Sequence, residues 1–419
     1  MENNAMNEPN RRWRNLRKIA MVGTHLPRRC GIGTFTKDLS DALTSEATQT
    51  DIAIVAMNDR SQGYSYPRRV QYQINQDSKG DYQRTAQRLN DSGVDLVCVQ
   101  HEFGIFGGED GELIITLLEQ LKMPVVTTLH TILSDPTEGQ RRTLSRLADH
   151  SDRMVVLAER GVRFLKQIYG VPDSKIVHVP HGIPEMPMAD SEQYKSQFGL
   201  ADRKVILTFG LLGPGKGIEV MIDAMPEIVA EHPDVVYVVV GAAHPHARTS
   251  AGEDYHAVLA RRARQRHVAE HIIFHDQFVS LEKLCSFLGA SDVYVTPYLN
   301  KAQVVSGTLA YAMGTGCAVV STPYWYAQEM LADGRGRIVP FANPRELACT
   351  ITKLLSDPIM RQTISGAAYQ FTRSFLWSNV AQQYLDAFET LAGNTARIAP
   401  FVQGAGNLVA PTQVDEQAA

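Results

Sequence analysis

Ser306, Gly307 and Thr308 form a polar turn ahead of the small-residue run Leu309-Ala-Tyr-Ala-Met-Gly314, and the apolar run Cys317-Ala-Val-Val-Ser321 follows. A Ser-Gly-Thr turn that opens a helix can aim several backbone N–H groups at one oxyanion. The helix dipole adds positive partial charge there, and a glycine lets the ligand approach the main chain. Ser306 could equally be an ordinary helix cap. A second turn, Gly210-Leu-Leu-Gly-Pro-Gly-Lys-Gly217, follows the strand-like run Lys204-Val-Ile-Leu-Thr-Phe209 and precedes a helical pattern. It brings Gly215 and one cation, Lys216. A solvated lysine at that place opposes the helix dipole, and an anionic ligand relieves the conflict. Together the two turns suit an anionic ligand. Preorganised donors of this kind stabilise charge growing on an anion, each worth about 3 kcal/mol in a transition state.

The first half carries its own candidates at the ends of apolar runs. Cys30-Gly-Ile-Gly-Thr34 follows Lys18-Ile-Ala-Met-Val-Gly23, a Gly-x-Gly spacing that serves many tight strand-to-helix turns. Arg28 and Arg29 could bind an anionic acceptor or merely face water. His130 follows Pro124-Val-Val-Thr-Thr-Leu129, which puts it at the carboxyl edge of a parallel sheet, where open α/β folds bind ligands. The plain alternative is a packed or capping histidine. His101 and Glu102 follow Val97-Cys-Val-Gln100, with Gly104, Gly107 and Gly108 behind them, and could contact an acceptor from a glycine-rich loop. His181, in Val179-Pro-His-Gly-Ile183, reads as a hinge residue. Glu329 could make a donor-sugar or helix-terminus contact, and Tyr324, Trp325 and Tyr326 are either a sugar platform or core.

Short β-branched runs alternate with helical patterns through most of the 419 residues, the signature of βαβ units and mainly parallel sheets. In the first half strands are expected near 18–23, 51–56, 95–100, 124–129, 153–157 and 176–179, with helices near 33–46, 81–91, 111–121, 136–149 and 159–169. In the second half strands are expected near 204–209, 235–240, 271–274, 292–296, 317–321 and 337–339. Helices there fall near 216–230, 252–266, 280–287, 306–314, 326–332 and 344–356. The fold class is α/β, with two Rossmann-like, doubly wound domains at 17–185 and 190–375. The proline-rich segment 183–190 between them is the hinge, and a cleft opens there. Residues 379–392 form an amphipathic helix with Val380, Tyr384, Leu385, Phe388 and Leu391 on one face. Residues 1–16 read as a loose leader and 393–419 as a flexible tail.

A net charge of −4 gives no basic field for nucleic acid. The five cysteines, Cys30, Cys98, Cys285, Cys317 and Cys349, lie far apart without Cys-x-x-Cys spacing, which argues against a disulfide framework and a zinc site. No apolar run approaches the ~20 residues of a membrane helix, and the N-terminus lacks an apolar signal core. The expected location is the cytoplasm. Arg11-Arg-Trp-Arg-Asn-Leu-Arg-Lys18 could add weak peripheral contact with anionic lipid at the inner face of a membrane, or be a solvated leader.

The pieces named so far occur in order with Tyr237-Val-Val-Val-Gly241, Phe274-His-Asp-Gln-Phe278, Ala290-Ser-Asp-Val-Tyr-Val-Thr-Pro297, Asp333-Gly-Arg-Gly336, Ile338-Val-Pro340 and Leu354-Leu-Ser-Asp-Pro358. Taken together they resemble glycosyltransferase family 4 (group 1), the retaining transferases of the GT-B fold, over residues 17–392. Pro27-Arg-Arg-Cys-Gly-Ile-Gly-Thr-Phe-Thr-Lys-Asp-Leu39 is similar to the glycine loop of its mannosyltransferase branch. The resemblance implies transfer of a hexose, preferably mannose from GDP-mannose, from a nucleotide sugar to a glycan or small hydroxyl acceptor. It implies no cofactor beyond the nucleotide-sugar co-substrate and no metal, in keeping with the lack of an Asp-x-Asp pair. The last helix, 379–392, would cross back to complete the first, acceptor-binding domain. Catalytic roles fall to His130, Lys216 and Gln303. Donor contacts fall to Gly31, Gly33, Gly215, Lys216, Ser306, Gly307, Thr308 and Tyr311, and acceptor contacts to His101 and Glu102.

Three positions depart from the pattern. Relatives carry two glutamates eight positions apart where this chain has Gln303 and Tyr311, and often an arginine where it has Leu211. Gln303 can still hydrogen-bond a sugar and Tyr311 a ribose hydroxyl, without negative charge. The departures leave three alternatives open: rewired donor recognition, a glycan phosphorylase or sugar-nucleotide epimerase on the same scaffold, or a non-catalytic protein that binds a sugar nucleotide.

Overall fold

The computed structural model describes residues 13, 15–188, 191–242 and 254–392. Most of the expected leader, the arginines at 11, 12 and 14, and the whole expected tail lie outside the described residues. Trp13, the aromatic residue of the basic patch, packs inward and donates its Nε1–H to Asp386 at 3.0 Å.

The first lobe runs β1 (Lys18–Gly23), α1 (Gly31–Glu46), β2 (Asp51–Asn58), β3 (Val70–Asn75), α2 (Lys79–Asp91), β4 (Leu96–His101), α3 (Leu113–Leu118), β5 (Val125–Leu129), α4 (Glu138–His150), β6 (Arg153–Val156), α5 (Glu159–Gln167) and β7 (Ile176–His178). The second runs α6 (Ser191–Ser196), β8 (Lys204–Phe209), α7 (Ile218–Glu231), β9 (Val235–Val240), α8 (Tyr255–Gln265), β10 (Ile272–His275), α9 (Leu281–Gly289), β11 (Val293–Thr296), α10 (Gly307–Gly314), β12 (Ala318–Ser321), α11 (Trp325–Met330), β13 (Arg337–Ile338), α12 (Pro344–Ser356) and α13 (Pro358–Phe371). The last helix is α14 (Trp377–Ala392).

Each lobe holds one parallel sheet, ordered β3-β2-β1-β4-β5-β6-β7 in the first and β10-β9-β8-β11-β12-β13 in the second. The central strands are buried along nearly their whole length, as apolar runs must be when helices cover both faces of a sheet. In both sheets the strand order reverses beside the first strand, between β1 and β4 and between β8 and β11. Crevices at such switch points are where open α/β sheets take ligands. Every candidate turn except the hinge leaves one of these strands or its neighbours β5 and β12.

Three elements escape the periodicity: the short helix α6, the strand β3 and the helix α13. β3, Val-Gln-Tyr-Gln-Ile-Asn, is an edge strand whose alternate residues are exposed, so its polar half hides it among loops. Asp357-Pro358 ends α12 and also starts α13: the Asp357 carboxylate accepts from Met360 N at 2.9 Å. Proline at the first helical position gives up only an N–H that has no partner there.

α14 returns to the first lobe. Val380, Ala381, Tyr384, Leu385, Phe388 and Leu391 share a core with Phe35, Leu39 and Leu43 of α1 and with Ile19 and Met21 of β1. Tyr384 Oη also lies 2.9 Å from Thr128 Oγ1 on β5. Phe388→Ala, at a fully buried site, is expected to lower stability by about 3–5 kcal/mol. A shift in urea midpoint worth less than about 1 kcal/mol would mean that α14 adds little to this core.

Candidate functional site

The second lobe builds its site from three segments. Ser306 caps α10, its Oγ accepting from Leu309 N at 3.3 Å. The N–H groups of Gly307 and Thr308, in the first turn of that helix, find no acceptor among the described residues, as helix geometry requires unless a ligand supplies one. The 210–217 turn lies against them. A side chain at Gly210 would touch Thr308 Cγ2 at 3.4 Å. Gly217 has φ +68° and rests on Pro297, whose carbonyl oxygen would sit 1.8 Å from any Cβ there. Gly215 has φ +94° and open space beside it. Leu299 N donates to Gly215 O at 2.9 Å, so the turn is stitched to the segment after β11.

Lys216 forms no ion pair among the described residues. Its Nζ lies 4.0 Å from the centre of the Tyr298 ring. Tyr298 Oη is 3.0 Å from Thr308 Oγ1, which is 3.0 Å from Ser306 Oγ. Ammonium, ring, hydroxyls and orphan N–H groups therefore form one continuous cradle at the carboxyl edge of the sheet.

The first lobe contributes the opposite wall. His130 keeps part of its surface accessible, donates Nε2–H to Gln100 Oε1 at 3.0 Å, and meets Phe35 edge-on at 4.7 Å. The Gln100 amide nitrogen faces Cys98 Sγ at 3.3 Å, which orients its oxygen towards the histidine and leaves Nδ1 as the free acceptor. Burial, with His181 and His101 nearby, pushes His130 down to about 3, so the ring is neutral at pH 7. Gly31 opens onto empty space at the start of α1.

Several expected contacts fall elsewhere. His101 does not reach an acceptor: it is 0% exposed and packs between Phe103 and Phe106, with both ring nitrogens lacking partners. Glu102 uses one oxygen on Phe103 N and the other on the Thr131 hydroxyl, tying two loops together. Gly33 is packed against Arg28 O, 3.1 Å from a would-be Cβ, so its small size serves the loop and not a ligand. Gln303 turns its amide back onto Val305 O at 3.0 Å. Tyr311, expected at a ribose, donates its hydroxyl across the lobes to Asp38 Oδ2 at 3.0 Å. Burial raises both groups, Asp38 against the pull of Lys37 and the Tyr311 bond itself. Arg28 is bound to Met57 O at 3.0 Å and lies 3.4 Å from Asp59. Tyr324 and Tyr326 are buried core.

Two further contacts join the lobes. Glu329 of α11 accepts from Glu159 N at 2.8 Å and Arg160 N at 3.2 Å, capping α5 of the first lobe. Beside it Trp325 meets Phe164 edge-on at 5.1 Å and lies beneath Arg160. At the hinge, Ile183 exchanges backbone bonds with Phe375 and Trp377, and His181 Nε2 lies 2.7 Å from where a Cβ on Gly307 would be. Tyr298 and Asp38 were not singled out from the sequence. Tyr298 follows Pro297 directly after a strand at the switch point, and Asp38 shares a helix face with Phe35, a recognisable anomaly on an otherwise apolar side.

His101 and His181 are buried and pushed down from the ordinary 6.5 to about 3 and about 4. The unfolded chain therefore binds more protons between those values and 6.5, and the stability present above that window is lost as pH falls through it. His101→Phe removes two unpartnered polar atoms from an aromatic slot. It is expected to flatten the fall by up to about 1.4 kcal/mol per pH unit, read from urea unfolding between pH 7 and pH 4. An acid limb unchanged by the substitution would place the sensitivity elsewhere.

Comparison with known proteins agrees with the two-lobed architecture. Residues 190–371 match the model for glycosyl transferases group 1, and residues 30–185 the model for glycosyltransferase family 4. The chain is 27% identical over 299 residues to a phosphatidyl-myo-inositol mannosyltransferase of Mycolicibacterium smegmatis, covering 69% of this chain and 70% of that one. It is 28% identical over 230 residues to spore coat protein SA of Bacillus subtilis, covering 54% and 58%. The crystal structure of the Anabaena protein HepE in complex with UDP superposes with a TM-score of 0.71 at 18% identity, over 89% of this chain and all of that one, a likeness of fold. Two lobes of GT-B architecture, with family models matching each lobe in turn, make this chain a member of the family 4, group 1 glycosyltransferases.

Proposed function

We propose that the protein moves a hexose, with retention of configuration, from a nucleoside diphosphate sugar to a hydroxyl acceptor, and that the donor is GDP-mannose. The cradle carries the reading: among the described residues the N–H groups of Gly307 and Thr308 have no acceptor and Lys216 has no ion pair, and Tyr298 links the ammonium to Thr308. A diphosphate supplies the charge that all three lack. The preference for mannose comes from mannosyltransferases among the relatives.

In the reaction the bond between the anomeric carbon and the β-phosphate oxygen breaks, and the acceptor oxygen bonds to that carbon from the same face. The acceptor proton passes to the departing phosphate oxygen. Lys216 and the N–H groups of Gly307 and Thr308 would stabilise the charge that builds on this phosphate. His130 presents a neutral Nδ1 from the opposite wall and can accept a hydrogen bond from a sugar hydroxyl. Approach of the lobes excludes water, which would otherwise consume the donor.

Lys216→Ala is expected to lower kcat/KM about 100- to 1000-fold, measured with purified protein against a panel of GDP-, UDP- and ADP-sugars. Retained activity in the variant, or no binding of any donor by the unaltered protein, would overturn the reading. Phosphate-dependent release of sugar phosphate would identify a phosphorylase, isomerised donor an epimerase, and binding without product a non-catalytic protein.

A further inference from the structure

We propose that Tyr298 is a positioning residue for the donor diphosphate, holding the Lys216 ammonium and the Thr308 corner in one fixed relation; the inference rests on the donor-site reading above. Tyr298 is 1% exposed although it lies at the edge of the sheet. Its ring is fixed on the far side by Tyr324, stacked at 5.2 Å with an interplanar angle of 22°. Its backbone is fixed by the Thr322 hydroxyl, which donates to Tyr298 O at 2.5 Å. The residues on either side of it carry the 210–217 turn, through Pro297 against Gly217 and Leu299 N on Gly215 O.

A side chain so held has two working ends. Its face takes Lys216 Nζ at 4.0 Å, and its hydroxyl meets Thr308 Oγ1 at 3.0 Å. A lysine has four rotatable side-chain bonds and loses about 2 kcal/mol of rotamer freedom when held in one place. An aromatic face can bear part of that ordering cost before the ligand arrives, because it attracts a cation without neutralising it. A carboxylate in the same position would hold the ammonium more tightly and compete with the phosphate. The hydroxyl end meanwhile fixes the Thr308 side chain, so the α10 N-terminus and the cation keep their spacing.

The test is a double-mutant cycle on the full chain, reading donor kcat and KM and the calorimetric affinity for GDP and UDP against GMP and UMP. Tyr298→Leu is expected to weaken diphosphate binding about 2- to 30-fold, the span of exposed to desolvated cation–π contacts. Monophosphate binding should change less, and the loss should largely vanish when Lys216→Ala is already present. Tyr298→Phe keeps the ring and the packing. It should cost about 5-fold or less, the size of one neutral hydrogen bond, and that loss should vanish beside Thr308→Val. These two cycles are independent, so a poorly folded leucine variant leaves the phenylalanine cycle to decide. Additive losses in both cycles, with Lys216→Ala still damaging, would overturn the role of Tyr298 alone. A harmless Lys216→Ala would overturn the donor-site reading and this inference with it.

Discussion

Backbone N–H groups at the start of α10 have no partner inside the helix, and the rest of the second lobe is arranged around that deficit. A helix can begin in water without difficulty, since solvent satisfies the first turn. Here it begins at a sheet edge beneath the other lobe, with glycine at its first position and a lysine opposite. Ser306 satisfies one N–H of the turn, that of Leu309, and the groups of Gly307 and Thr308 find no acceptor among the described residues. The switch point between β8 and β11 makes this possible, because it brings the turn after β8 and the segment after β11 to the same crevice. Charge then follows from position: a cation tolerated in the field of two helix N-termini, those of α7 and α10, is one that expects an anion.

The base of the cleft is organised by the absence of side chains as much as by their presence. A Cβ on Gly182 would lie 2.2 Å from the Trp377 ring, and one on Gly307 would lie 2.7 Å from His181 Nε2. The two chain crossings between lobes thus run in close contact, with Phe35 meeting His130, His181 and Trp377 edge-on. This aromatic cluster connects the hinge to His130 of the first lobe and to the start of α10 in the second. Glu329 adds a different kind of join: its carboxylate gains from the positive end of α5 only while the lobes remain together.

The architecture was legible because buried parallel strands are apolar runs of nearly fixed length, and all but one of the strands could be placed from that pattern. β3 lacked the pattern because one of its faces meets solvent. In the site, the placement of Ser306, Gly307 and Thr308 at a helix start and of Lys216 in the turn before α7 could be read because local sequence sets those features. His101 could not, since it is the last residue of β4, in register with the buried Leu129 and one place short of His130, and Phe103 and Phe106 pack against it. Whether a strand-end residue faces a cleft or a core is decided by the loop that folds over it. Tyr311 was out of reach for another reason, because its partner Asp38 is 273 residues away.

That long-range bond gives a physical account of one departure from the family pattern. In this chain position 311 faces a carboxylate buried between the lobes, and Asp38 is 7% exposed. A glutamate at position 311 would set two carboxylates against each other where water is scarce, and such pairs cannot both ionise without a large cost. A phenol avoids the conflict by donating. Its O–H satisfies Asp38, and its ring packs with the second-lobe core around Leu309 and Met313. Tyr311 and Asp38 are therefore better understood as one cross-lobe unit than as a lost donor contact. The carboxyl group that position 311 lacks stands on the first lobe, at Asp38. With Tyr311 engaged there, the proposed donor site rests on Lys216, Tyr298 and the α10 N-terminus.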